Sequence, residues 1–168
     1  MFRIRRGGNM SVKLSASARR VQAELERQGI DCQVVEMSQT TRSAADAARA
    51  VGCSVGQIAK SLVFRGKATG RAVLVITSGS NRVDETRLAG TISEPVGMAD
   101  PDFVRDQTGF AIGGVAPVGH SQPLEIFIDE DLMQYVDVWA AAGTTRAVFQ
   151  LTPDQLVRIT GGRVIAVK

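Results

Sequence analysis

The sequence predicts an α+β fold: a single domain with a mixed, mostly antiparallel β-sheet flanked by helices. Three observations predict it. Strand-like runs and helix-period segments follow one another irregularly, with paired strands between helices, unlike the regular alternation of a doubly wound nucleotide fold. Val73-Leu74-Val75-Ile76 is apolar throughout, as a central strand covered on both faces requires. The 168 residues, 44% hydrophobic and 22% charged, suit one globular domain with a real core.

The elements follow in order. Ala18, Val21 and Leu25 recur at helical spacing between Ser15 and Gln28, and Gly29 supplies the stop. Residues 32–37 read as a short strand. Ser43 caps a helix from Ala44 to Val51 that Gly52 ends, and Asp46 in its first turn suits the helix dipole. Ser54 opens a short turn through Gln57. Residues 60–65 and 71–77 form a hairpin whose turn Gly66 and Gly70 flank. Asp84 caps a helix to Ala89, and Asp100-Pro101 starts another with proline at its first position. Residues 125–128, 136–139, 146–149 and 163–166 read as strands, and Thr152-Pro153 opens the last helix, to about Ile159. Residues 1–10, basic and glycine-containing, are expected to be a disordered extension before a domain spanning 11–168, with Met10 the more natural start.

Composition excludes several classes. No apolar run has the length of a membrane span, and no apolar segment follows the basic N-terminus to make a signal peptide. Cys32 and Cys53 lack metal spacing and read as reduced thiols of a cytoplasmic protein. A net charge of +3 does not describe a protein that coats nucleic acid, but it allows one that grips a single end. With one histidine, His120, and no GxSxG elbow, a serine triad is improbable, and no Walker or Rossmann spacing is present. No metal or cofactor is expected. Asp129-Glu130-Asp131, the densest acidic cluster, reads as the capped start of a helix after a strand.

Two features carry chemistry. Residues 109–120 hold four glycines and a proline among apolar side chains, and only His120 is ionisable. Such a loop presents its backbone: an anion or oxyanion cradle, or else a structural glycine turn. Lys60 opens a buried strand, either as a solvated edge charge or as an ammonium aimed into a cleft to hold a phosphate or carboxylate.

Gln57-Ile58-Ala59-Lys60-Ser61-Leu62-Val63-Phe64, then Ala99-Asp100-Pro101 and the stretch from Gly109 to Gly119, resemble the YbaK/EbsC family. This is the prolyl-tRNA synthetase-associated editing domain in its free-standing form, and the resemblance spans about Ser11 to Lys168. The lysine strand together with the GxxPxG-type loop is a specific pair. Residues 138–144 resemble free-standing members more than the domain inserted in the synthetase.

The resemblance implies an aminoacyl-tRNA deacylase that hydrolyses, in trans, the ester joining a wrong amino acid to the tRNA 3′ end. Its implied partners are the aminoacyl-tRNA acceptor end and an aminoacyl-tRNA synthetase, with no membrane. The chemistry suits the residues. An activated ester needs little acid help; the N–H groups around Gly113 and Gly114 would stabilise the oxyanion, and the substrate's ribose hydroxyl would position water. Lys60 would anchor the terminal adenosine phosphate or ribose. Thr41 and Ser43 match a polar stretch bordering the family's pocket, or simply cap a helix. Thr77 and Ser78 end the central strand and are expected to line the acyl pocket. Pro117 and Gly119 belong to the loop motif, and Gly143 and Thr144 match a small-residue loop facing the site. Some members carry an aspartate near residues 146–149, where this chain has Val148, a departure from the pattern of cysteine-selective members. His120 reads as a loop or surface residue rather than a proton shuttle. The alternative reading is a non-catalytic module that binds a nucleotide or aminoacyl ligand or docks on a synthetase. A small-molecule esterase would need a nucleophile–histidine pair.

Overall fold

The computed structural model describes residues 14–41 and 43–168; the expected disordered extension, residues 1–10, lies outside the described residues. The chain runs α1 (Ala16–Arg27), β1 (Val35–Glu36), α2 (Ala44–Val51), a 3₁₀ turn (Val55–Gln57), β2 (Ile58–Gly66), β3 (Ala72–Ser78), α3 (Glu85–Ile92), β4 (Val96–Met98) and α4 (Pro101–Thr108). It continues through β5 (Glu125–Asp129), a second 3₁₀ turn (Glu130–Gln134), β6 (Val138–Ala141), β7 (Ala147–Leu151), α5 (Pro153–Thr160) and β8 (Arg163–Ile165).

The helix ends follow local chemistry. Ser15, Ser43, Asp84, Asp100 and Thr152 each accept a backbone N–H of the helix they open, and Gly52, Gly109 and Gly161 close α2, α4 and α5 in the left-handed conformation. Several element boundaries differ from the sequence expectation, β6 for example running over Val138–Ala141 rather than 136–139, and two differences have a clear cause. The strand expected over 32–37 shrinks to β1, because Cys32 and Val34 are buried as loop residues rather than paired. The helix expected to end at Ala89 runs on to Ile92, which packs in the core.

The strands form one mixed sheet in the order β1-β7-β6-β2-β3-β5-β8, with β4 also paired to β2. Four pairings are antiparallel and three are parallel. Val73, Leu74, Val75 and Ile76 of β3 are fully buried, as their uniform apolarity demands. Leu74 and Ile76 join the larger cluster, with Ala18, Val21 and Leu25 of α1, Leu156 of α5 and Phe110. Val73 and Val75 point the other way, to Leu88 and Ile92 of α3. On that second face a smaller cluster joins Ala47, Ala48 and Val51 of α2 to Ile58, Trp139 and Val148. Among the described residues, no helix is long and apolar enough to cross a membrane.

Asp129, at the end of β5, ties this framework together. Its Oδ1 accepts Asp131 N–H at 2.9 Å, the cap expected of the acidic cluster, although the element it opens is 3₁₀. Its Oδ2 accepts Thr77 Oγ1–H at 3.0 Å, Ser78 N–H at 2.9 Å and Asn81 Nδ2–H at 2.8 Å. The carboxylate is 1% exposed, so these donors replace the water it has lost. Asp129→Ala strands the buried donors of Thr77 and Ser78. It should cost roughly 2–5 kcal/mol, read as a lower urea midpoint with an unchanged slope.

Candidate functional site

The edge of β2 opposite β3 is shared by two strands that run in opposite directions. β6 pairs parallel to it through Ala59↔Ala140, and β4 pairs antiparallel from Phe64↔Met98 onward. Neither can be continued into the other, so between Ala59 and Phe64 this edge has no partner strand. Backbone groups alternate sides along a strand. Val63 C=O accepts Ala99 N–H at 3.1 Å on the β4 side, so Ser61, two residues away, turns its N–H and C=O into the break.

A cavity of about 570 Å³ occupies the break. It draws its lining from both faces of the sheet: Ala59, Ser61, Val63 and Val115 from one, Ile58, Trp139 and Val148 from the other. α2 walls one side with Ala44, Ala47 and Val51. The lining is mostly apolar, with few polar groups, as small-ligand sites are.

Lys60, Gly113, Thr41 and Ser43, all named from sequence, line this cavity. Lys60 lies cross-strand from Thr77, on the sheet face of α2 and α3. Its Nζ donates to Asn81 C=O at 3.1 Å, and Asn81 is itself held by Asp129 and Asp131. Burial pushes the Lys60 ammonium below its usual range, and the nearby charge of Asp129 partly opposes this. Thr41 donates both N–H and Oγ1–H to Thr145 C=O, at 2.8 and 2.9 Å, which fixes the entry to α2. Ser43 Oγ accepts Asp46 N–H, so it caps α2 while bordering the cavity.

Gly113 holds φ at +89°, a conformation that a side chain would strain. Its N–H has no hydrogen-bond partner among the described residues. Gly114 differs: its N–H donates to Ala111 C=O at 3.0 Å, so that amide is committed inside the turn. A Cβ at Gly114 would meet the Thr144 backbone at 2.8 Å, which makes it a close-packing position.

The structure places the other expected residues outside the cavity wall. Thr77 and Ser78 do not line it: Asp129 takes the Thr77 hydroxyl, and Ser78 Oγ donates to Gly56 C=O at 2.7 Å. Gly143 packs against the start of α1, where a Cβ would lie 2.8 Å from Ser17 O. Thr144 Oγ1 accepts the N–H groups of Arg146 and Ala147, closing the turn into β7. Pro117 is buried, and Gly119, at φ +81°, packs near the Phe110 ring and Arg20.

Ser61 lies within the sequence motif beside Lys60, where nothing in the sequence assigns it a role. Its Oγ is buried in the structure without a hydrogen-bond partner. Met98 and Ile112, 59% and 53% exposed, line the cavity as well. A serine in a strand carries no signal of its own; the break in pairing that makes it notable exists only in three dimensions.

His120 does not line the cavity. Its Nε2 lies 2.7 Å from Ala116 C=O and its ring meets Phe110 edge-on, so it braces the glycine loop from behind.

Comparisons with known proteins show the family and the fold. The sequence profile of the aminoacyl-tRNA editing domain matches residues 38–159. The chain belongs to this family. A crystal structure described as a candidate trans-editing enzyme for prolyl tRNA synthetase superposes with a TM-score of 0.88 at 51% identity, covering 93% of this chain and 99% of that one. EbsC of Enterococcus faecalis, a candidate Cys-tRNA(Pro)/Cys-tRNA(Cys) deacylase, is 30% identical over 72% of this chain and 74% of its own. The proline–tRNA ligase of Bacillus licheniformis is 32% identical over 60% of this chain, which spans 17% of the ligase. The resemblance of this editing domain to the YbaK/EbsC proteins and its mixed α+β sheet are thereby established.

His120 makes the editing domain acid-sensitive. Burial, with the positive charge of Arg20 nearby, pushes the imidazole below its ordinary 6.5, and the bond to Ala116 opposes this. Below pH 6.5 the unfolded chain therefore takes up a proton that the folded chain refuses. More protons bound in the unfolded state mean that stability rises with pH. It falls as pH drops below 6.5, by at most about 1.4 kcal/mol per pH unit. His120→Gln should flatten the fall in chemical-denaturation midpoint between pH 7 and pH 5.

Proposed function

We propose that this editing domain is an aminoacyl-tRNA deacylase acting in trans, hydrolysing the ester between a mischarged amino acid and the ribose of a tRNA 3′ end. The observation that carries this reading is the cavity in the break of β2. It combines a desolvated ammonium, an unpartnered amide and bare strand-edge groups with apolar walls. It contains no nucleophile–histidine pair.

Those parts match what an activated ester needs. Lys60 holds the phosphate or ribose of the terminal adenosine as a point charge, and a bound anion restores the charged form that burial disfavours. Gly113 N–H faces the oxyanion that forms when water attacks; one such donor is worth about 10²–10³ in rate. Gly114 leaves the catalytic set because its amide is already bonded, and it serves by holding the loop against Thr144. Ser61 Oγ and its main-chain groups orient the aminoacyl end. The substrate's own ribose hydroxyl positions the water, so the protein needs no base. Thr41 and Ser43 border the acyl group, and Trp139 and Val148 limit its size. Synthetase relatives make an aminoacyl-tRNA synthetase a natural partner, and the acceptor end is the part of the tRNA engaged.

The test is release of labelled amino acid from tRNAs carrying alanine, serine, threonine, cysteine and proline. At least one ester should be cleared well above its spontaneous rate; release from none would leave the cavity as a binding module. Lys60→Ala should lower kcat/KM by about 10- to 150-fold, the loss of one charge-assisted contact. Full activity in that variant would remove Lys60 from the site.

A further inference from the structure

A second cavity, of about 560 Å³, lies at the β2–β3 hairpin, lined by residues 65–70, Gly97 and Met98. Met98 also lines the first cavity, so the two meet at this exposed side chain. We propose that the hairpin notch is a phosphate-binding subsite for the nucleotides immediately upstream of the one that enters the first cavity, gripped by Arg65 and Lys67. The inference rests on the deacylase reading for the identity of the nucleic acid, and on the following geometry for the subsite.

Arg65 and Lys67 are both exposed, and neither is within salt-bridge distance of a carboxylate among the described residues. Arg65 is not a free-swinging charge: its guanidinium lies over the Phe103 ring, 4.5 Å from the centroid. Lys67 is held by pairing: its N–H donates to Pro95 C=O at 2.8 Å, and its Cε is 3.3 Å from where a Cβ on Gly97 would stand. Glycine at 97 therefore lets the lysine stem lie along β4.

The nearby acids are turned to other work. Glu94, with a side chain 7% exposed, accepts the N–H groups of Ala68 and Thr69 and the Thr69 hydroxyl under the turn, and pairs with Arg71 at 3.4 Å. Asp100 caps α4 through Phe103 N–H. Glu94 is turned inward and paired with Arg71, and Asp100 is engaged at the start of α4, while the two cations are exposed.

Position selects the ligand. From Ser61, at the floor of the first cavity, to Arg65 is four residues of strand, about 13 Å. A phosphate held there belongs to a nucleotide upstream of the one that carries the ester. Met98 stands between the two sites, and Ile112 is a second exposed apolar side chain on the wall of the first cavity; a base can lie against either. Cations alternating with apolar surface are what a single-stranded terminus requires.

The experiment compares the unmodified protein with Arg65→Gln/Lys67→Gln. Binding of a short single-stranded RNA ending in CCA is followed by fluorescence anisotropy across a salt series. Hydrolysis is followed on aminoacyl-tRNA and on 3′-aminoacyl-adenosine, which has no upstream phosphate. The double variant should bind RNA about tenfold more weakly at low salt, with a log–log salt slope shallower by about 1.4, the share of two single-strand phosphate contacts. Its KM for aminoacyl-tRNA should rise while 3′-aminoacyl-adenosine is cleaved as before. Unchanged RNA affinity and salt slope would overturn the subsite, and so would an equal loss on both substrates. RNA binding that depends on both residues, with no ester cleaved by the unmodified protein, would support the subsite and sink the deacylase reading alone.

Discussion

The reversal of strand direction along one edge of β2 is the constraint from which the site follows. β6 arrives parallel and β4 antiparallel, so the edge between them has to go without a partner. An unpaired strand edge is ordinarily a liability, because N–H and C=O groups left without partners cost free energy when buried. Here the edge is covered by α2 on one side and by the glycine loop on the other, which turns the gap into a cavity rather than a sticky surface. The polar groups at its floor, Ser61 above all, are left for something that enters.

Lys60 depends on the same arrangement. It stands on β2 beside the break, in the seam between the α2 and α3 clusters. Its only protein acceptor among the described residues is the Asn81 carbonyl, not a carboxylate. Asp129 is close enough to support the charge, yet its oxygens are engaged by Thr77, Ser78, Asn81 and Asp131. An ammonium paired directly with a carboxylate would have its charge satisfied. One held by a neutral carbonyl in a desolvated place keeps most of its attraction for an incoming anion.

What was legible in the sequence was local. Caps at Ser43, Asp84, Asp100 and Thr152, the glycines that end helices, and the hairpin between Gly66 and Gly70 act within a few residues and could be read directly. β4 could not: Val96-Gly97-Met98 is three residues long with a glycine at its centre, and only β2 makes it a strand. Thr77 and Ser78 misled for the same reason. They end a central strand, where ligands often sit, but a carboxylate some fifty positions onward in β5 claims them. Gly114 looked equivalent to Gly113, and the difference lies in one turn hydrogen bond to Ala111. Lys60 was visible through its motif, whereas Ser61 beside it became informative only once its neighbours failed to pair.

The site's economy of side chains has a chemical logic. A peptide or alkyl ester would demand a strong nucleophile and an acid for its leaving group, which a lone histidine tied to Ala116 behind the loop cannot supply. An ester whose leaving group is a ribose hydroxyl beside a second hydroxyl demands less. Stabilising the oxyanion and holding the substrate still are then enough, and both can be done by backbone and one fixed charge. Selectivity must consequently come from what the walls admit. Trp139, Val148 and Ile58 are close-packed on α2, so on the proposed reading the acyl end would be bounded by stiff apolar side chains. Such walls discriminate by size only modestly, since a single methylene shifts discrimination by about 1–3 kcal/mol, and an added hydroxyl on an isosteric side chain is rejected no more strongly. On the deacylase reading proposed above, a cavity of this kind would sort amino acids by gross bulk and leave the identity of the nucleic acid to contacts outside its mouth.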